Sequence, residues 1–410
     1  MKEAVLIAVL ASMVAQANPP WTGGAAAAET RRLQDEIDAA SAKGGGRVVV
    51  TRGVHPCGTL RLKSGVELHL EEGAVLLGGG KSEDYEDFVF SDGFRPEINP
   101  PYSHKGFLVA EDAHDVAITG KGTVDASGTQ FFDPSTTLWG HWWAKPACAR
   151  PRLLKMHNCR RVRIEDVTFK DSPTWTIWLR RCEDVTVSRL KVVANDRIIN
   201  SDGLDIDACR RVRVGDSQFD TGDDCVILRA MCRDGETAVC EDVVVSNCVL
   251  RSVCSGVRIG CPSDDLVRNA VFRDIAFEGR NAVVAQNPKR YLRPDCRAGN
   301  GGTLRTSGIL FENWKAKCSG HPVEIAVEDG VSLSDFGHFT FRNFDVTAKE
   351  AIVIRGNAKS PVRDVRLESF RGTIETAEPI DVKAVEGQVI DRFDVSSGNV
   401  GKPQGTCDFK

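Results

Sequence analysis

The sequence predicts an all-β fold, a right-handed parallel β-helix of about ten coils with a helix capping its N-terminal end. The first observation behind this is a recurring motif: a cysteine, two polar residues, then alternating aliphatics. It stands at Cys159-Arg160-Arg161-Val162-Arg163-Ile164 and Cys182-Glu183-Asp184-Val185-Thr186-Val187. It returns at Cys209-Arg210-Arg211-Val212-Arg213-Val214 and Cys240-Glu241-Asp242-Val243-Val244-Val245. The steps from Cys159 to Cys182, Cys209 and Cys240 are similar in length, and a period of that size belongs to stacked repeat architectures. The second observation is that each repeat carries short period-2 strands and no amphipathic helix, which fits leucine-rich and helical solenoids poorly. The third is composition: Gly is frequent, at 38 of 410 residues, as many tight corners require, whereas Tyr and Met number 3 and 4. In such a stack each coil buries its inward aliphatics only because neighbouring coils cover them.

From the N-terminus, Met1-Lys2-Glu3, the apolar run Ala4 to Val14 and Ala15-Gln16-Ala17 have the three parts of a secretory signal peptide cleaved after Ala17. The apolar run is too short to span a bilayer. Residues 18–410 then form a single domain, because repeats run through most of the chain without a Pro/Ser/Gly-rich linker. Thr30 is placed to cap a helix with Leu33, Ile37 and Ala40 on one face, ended by Gly44-Gly45-Gly46. Such a helix covers the strand edges that a β-helix exposes at its ends. Val48-Val49-Val50 starts the strands. A weaker motif copy, Ala113-His114-Asp115-Val116-Ala117-Ile118, precedes Cys159 by twice the Cys159-to-Cys182 step. Looser copies stand at Gly308-Ile309-Leu310-Phe311 and Val362-Arg363-Asp364-Val365. The four motif cysteines are expected to stack inward as small apolar residues with free thiols. With 14 cysteines in an exported chain, Cys232 with Cys240 and Cys254 with Cys261 are candidate bridges.

Two segments carry the chemistry. They are Asn200-Ser201-Asp202-Gly203 and Gly222-Asp223-Asp224-Cys225, and the step from Asp202 to Asp223 is close to one coil. One coil brings the chain back one strand spacing away, about 5 Å. Asp202, Asp223 and Asp224 are therefore expected to meet, and converging carboxylates are what cleavage of a glycosidic bond requires. Asp beside Gly is also ordinary turn chemistry. That bland reading suffices for Asp205 and Asp207 but accounts poorly for the other three together. Trp175 and Trp178 are candidates for a sugar-stacking platform beside the acids, with packing inside the wall as the alternative. Trp139, Trp142 and Trp143 lie in a loop-like stretch and are candidates for the same role.

With Asn200-Ser201-Asp202, Gly222-Asp223-Asp224 and the ladder between them, roughly residues 30–315 resemble the polygalacturonase family, glycoside hydrolase family 28. The stretches 39–50 and 62–74, and Ser172-Pro173-Thr174-Trp175-Thr176-Ile177, are similar too. The resemblance implies that Asp223 is the general acid and that Asp202 and Asp224 hold and deprotonate the attacking water. It implies that Asn200 positions substrate or a carboxylate, and that the anomeric carbon is inverted. Three carboxylates in one cleft cannot all ionise freely, so one proton should be held to a raised pH. The sequence departs from the family pattern twice. Where the family has Gly-His-Gly before Ile-Gly, this chain reads Val253-Cys254-Ser255-Gly256-Val257-Arg258-Ile259-Gly260. Ser255, or Cys254 under a one-residue shift, takes the histidine's place. The family's substrate-binding Arg-Ile-Lys aligns with Arg293-Pro294-Asp295, where an acid would repel a uronate. Arg258, Lys289, Arg290 and Arg293 are candidate substrate-binding cations, with a solvated loop as the alternative. Weak action on unmodified polygalacturonate is expected unless they restore the positive field.

The net charge of −4, unchanged by loss of residues 1–17, excludes a basic nucleic-acid or anionic-membrane binder. The expected partner is a polysaccharide or oligosaccharide, the location secreted or periplasmic, and the state a monomer, with no cofactor and no metal. Two other readings stay open. One is a polysaccharide lyase with Ca²⁺ on Asp202, Asp205, Asp223 and Asp224. The other is a non-catalytic glycan-binding or adhesion β-helix, which the missing histidine encourages.

Overall fold

The computed structural model describes residues 24–94, 104–138, 140–232, 236–292 and 303–397. The expected signal peptide, Trp139, Arg293 and Asp295 lie outside them. The described strands stack in parallel into three walls. Along the first wall, strands succeed one another from Gly46–Val50 through Val66–Leu70, His114–Thr119, Arg160–Glu165, Glu183–Ser188 and Arg210–Gly215 to Val389–Ser397. That is a parallel β-helix of twelve coils among the described residues, two more than the repeats alone suggested. The third wall, which carries the site, runs through Gly106–Glu111, Arg152–His157, Ile177–Arg180, Leu204–Asp207 and Val226–Arg229.

The repeat motif has a physical explanation. Arg160, Glu183, Arg210 and Glu241 are register partners, so the cysteines before them stack, all at 0% exposure. Cys209 Sγ donates to Leu179 O at 3.3 Å and accepts the Cys182 N–H at 3.3 Å. The second polar residue of each motif turns a corner in the left-handed region. Asp115, Arg161, Asp184, Arg211, Asp242 and Asn269 all have φ between 51° and 57°. Asp and Asn tolerate that conformation best among residues with a side chain. The Arg residues alternating with Asp there gain a cross-coil partner instead: Arg161 reaches Asp115 at 2.7 Å and Arg211 reaches Asp184 at 2.6 Å.

Inside, the later coils carry aromatic stacks. Phe272, Phe311 and Phe341 lie 5.0 and 4.8 Å apart, and Phe344 lies 4.8 Å from Phe370. The capping helix spans Ala25–Ala42 and buries Leu33 and Ile37 against the first coil. It begins before Thr30, because the alanine run Ala25–Ala28 is already a strong helix former. Thr30 is thus a mid-helix residue rather than its cap; its hydroxyl donates to Ala26 O and accepts the Gly58 N–H, tying helix to coil. The helix ends where Gly44 and Gly45 take positive φ, as expected. Cys240, Cys254 and Cys261 are free thiols, so neither candidate bridge forms. No helix among the described residues is long and apolar enough to cross a membrane.

Candidate active site

The two motif segments form successive turns leading into the third wall. Leu204 pairs with Val226, and Val226 with Val257. Asp202 is therefore in line with Asp224, and Asp224 with Ser255; Asp223 projects one position earlier. Gly222 is required by close approach: a Cβ there would meet Ser201 Oγ at 2.5 Å and Asn195 O at 2.7 Å. Asn200, at φ 62°, turns its N–H onto Asp223 Oδ2 at 3.2 Å, and the Asp224 N–H reaches Asp223 Oδ1 at 3.1 Å. The Asn200 side chain accepts from Arg150, whose guanidinium also donates to Pro173 O and Ile199 O. Backbone and side chain of Asn200 thus link a buried arginine to the half-buried carboxylate of Asp223.

The three carboxylates are not equivalent. Asp224 is buried and accepts from Arg258 Nε at 2.6 Å, from Arg258 Nη2 at 3.2 Å and from the Ser255 hydroxyl. Asp202 is 4% exposed, and its Oδ1 has no hydrogen-bond partner among the described residues. Burial, and then the charges of Asp223, Asp205 and Asp224, push its carboxyl well above the ordinary range. Burial and Asp224 raise Asp223 to about 6, against the pull of Arg258. A carboxyl that keeps its proton up to about pH 6 yet remains reachable is suited to act as a general acid. Beneath these lies Asp205, raised by burial to about 7 and paired with Arg229 at 2.5 Å.

The sequence comparisons fit this geometry. The family model for glycosyl hydrolases family 28 matches residues 99–407. The chain belongs to that family. A probable polygalacturonase of Arabidopsis thaliana is 29% identical over 308 residues, 69% of this chain and 59% of the relative. An endo-polygalacturonase of Pectobacterium carotovorum is 23% identical over 329 residues, 76% of this chain and 77% of the relative. The chain spans about 60% of the length of the first two plant relatives it matches. Among solved structures, the exopolygalacturonase of Thermotoga maritima is similar in fold, with a TM-score of 0.71, 21% identity and coverage of 88% of this chain and 87% of that one.

Within this family 28 chain the site residues named from sequence fare unequally. Asn200, Asp202, Asp223, Asp224, Ser255 and Arg258 come together, although Arg258 is spent on Asp224 rather than turned to the cleft. Lys289 and Arg290 are exposed on a short 3₁₀ turn, where the Lys289 N–H binds Glu328 and the Arg290 guanidinium lies over Tyr291. Trp175 and Trp178 form no sugar platform. They are 5% and 1% exposed, meet edge to face at 5.6 Å, and share the Arg152 guanidinium at 4.5 Å. Trp142 braces the Gly222–Asp224 turn, its Nε1 donating to Gly222 O at 2.7 Å.

Asp205 and Asp207 are no turn residues either. Both are fully buried in the strand Leu204–Asp207, and Asp207 is paired with Arg180 at 3.1 Å. Sequence reasoning missed Arg150, Arg229 and Lys145, the last of which lies near enough to Asp223 to feel its charge. Their signal was weak, because isolated basic residues in loops are ordinary. A Ca²⁺ site is a poor fit: Arg229 and Arg258 already supply positive charge to Asp205 and Asp224. The remaining cluster, Asp223, Asp224 and Cys254, includes a thiol, a soft donor for a hard cation.

Proposed function

We propose that this protein is an exported, inverting glycoside hydrolase acting on pectin-type acidic glycans. Asp223 protonates the leaving oxygen, while Asp202 and Asp224 hold and activate the water that attacks the anomeric carbon. The observation that carries this reading is the asymmetry of the carboxylates. Asp223 is half-buried, held by two backbone N–H groups and raised to about 6, while Asp224 is neutralised by Arg258. Asp223, which keeps its proton up to about 6, stands beside Asp224, whose charge Arg258 holds, and that contrast is the division acid–base hydrolysis needs; Asp202, also raised by burial, shares protons with them as one group.

An acidic substrate is supported by the cations around the turn. Lys145 lies near Asp223 and Arg290, and a groove of about 830 Å³ beside Ser252 and Trp142 is lined by Arg280, Lys349 and Lys317, the last paired with Glu278 in the same groove. Inversion and export rest on the family and on the N-terminal sequence. The test is reducing-end release from polygalacturonate, rhamnogalacturonan and a neutral galactan in parallel, with the first-formed anomer read by NMR. Release of β-configured product from an α-linked acidic chain is expected. An unsaturated product absorbing in the ultraviolet would mean a lyase, and no release from any glycan would remove catalysis altogether.

A further inference from the structure

A polysaccharide cut in its interior must lie along the outward face of the third wall, with open wall on both sides of the acids. The outward register positions here are Val109, Lys155, Trp178, Asp205, Ile227, Arg258 and Val284. From Val109 to Val284 none is more than 7% exposed, and the same row reopens only at exposed Arg61 and half-buried Glu324. On the N-terminal side the covering group is identifiable, for Phe88, Phe90 and Phe94 run lengthwise along the wall. Phe88 lies under the Arg61 guanidinium at 5.3 Å, Phe90 lies 4.9 Å from Trp178, and Phe94 sits 3.4 Å from the Arg180 guanidinium.

This cover is fastened at several points. Lys155 Nζ donates to Phe88 O, the Ser91 N–H to Glu111 at 2.7 Å, and Asp92 approaches His157 and Arg180 at 3.4 and 3.8 Å. Those partners are themselves buried or half-buried, so removing the cover would strand charges in an apolar setting. Accessibility returns at the side, where Asn200, Asp223, Cys254 and Cys261 are half-buried.

We infer that the protein acts on chain ends: the segment Phe88–Phe94 fills the stretch of groove that an internal length of glycan would occupy, so that a chain reaches Asp223 from the side where Asn200, Asp223, Cys254 and Cys261 are half-buried. This rests on the hydrolase reading above and specifies how that site takes its substrate. A site that takes a chain end contacts few sugar units, so added units bring no further binding; an open groove gains with every unit it holds.

The experiment uses the full chain and whichever glycan of the panel it hydrolyses. Viscosity is followed against reducing ends, products are sized from the first minutes, and kcat/KM is measured on oligomers of increasing length. A single small product from the start, viscosity falling only in proportion to reducing ends, and kcat/KM changing less than about threefold beyond the third unit are expected. A ladder of intermediate oligomers with early loss of viscosity would overturn chain-end action while leaving the hydrolase reading intact. A kcat/KM still climbing about tenfold with successive units would do the same. Absence of any released sugar would overturn both.

Discussion

Two outward faces of one solenoid carry the same residue types to different ends. On the first wall Arg161 with Asp115 and Arg211 with Asp184 pair across coils while about half exposed. On the third wall Arg229 with Asp205, Arg180 with Asp207 and Arg258 with Asp224 pair while buried. An exposed pair contributes about 0–1 kcal/mol, because water screens it. A buried pair bears a desolvation cost of several kcal/mol per ion, which good geometry only just offsets. The first-wall charges keep a polar surface around the left-handed corner. Those of the third wall instead act on the proposed acids, Arg258 pulling against the burial that raises Asp223.

The largest effect should come from Asp223→Asn. An amide cannot donate the proton that the leaving oxygen needs, so kcat/KM should fall about 10²-fold or more while the fold is retained. Near-normal turnover would remove the distinction between the carboxylates on which the comparison depends. Next is Arg258→Gln, which leaves Asp224 buried without its cation and should cost about 3–5 kcal/mol in denaturant unfolding. Its control is Arg211→Gln on the first wall, where water screens the pair and the unfolding midpoint should stay with that of the parent protein. Equal losses from the two substitutions would mean that burial does not separate the two faces.

The pH dependence sharpens the same point. The acid must be protonated, and Asp223 is raised to about 6, so the alkaline limb of kcat/KM should fall about tenfold per unit above that pH, while protonation of the base sets a separate acid limb. Because the carboxylates share the site, the midpoint belongs to the group rather than to one residue. The sign for stability is parallel: a carboxyl raised from about 3.9 favours the folded state below that pH, and the gain is lost as pH rises through about 6. A profile flat from pH 5 to 8 would contradict the assignment. The smallest effect concerns the ladder. A thiol reagent added to native protein should modify exposed Cys148 and leave buried Cys209 untouched. Rapid labelling of Cys209 would mean that the coil stack is loose there.

The coil architecture was legible in the chain because it is a local periodicity repeated. Cys159, Cys182, Cys209 and Cys240 mark equivalent points, and each period-2 strand declares its inward face. The acids were legible for the same reason: two Asp-Gly turns nearly one coil apart must come together wherever coils stack. The detail of their meeting was not. The register of Leu204 on Val226 aligns Asp202 with Asp224 rather than with Asp223, and the turn conformations that set this register depend on packing between coils. Nor could spacing reveal that Trp178 is covered, that Asp205 is a strand residue, or that Arg258 turns to Asp224. Cover over Trp178 and its neighbours comes from the segment Phe88–Phe94, which lies far upstream in the chain and meets the wall only after the chain has coiled. Periodicity specifies what each coil repeats. Which repeated positions lose water is a property of long-range contacts, and desolvation is what makes a carboxylate in this fold chemically distinct.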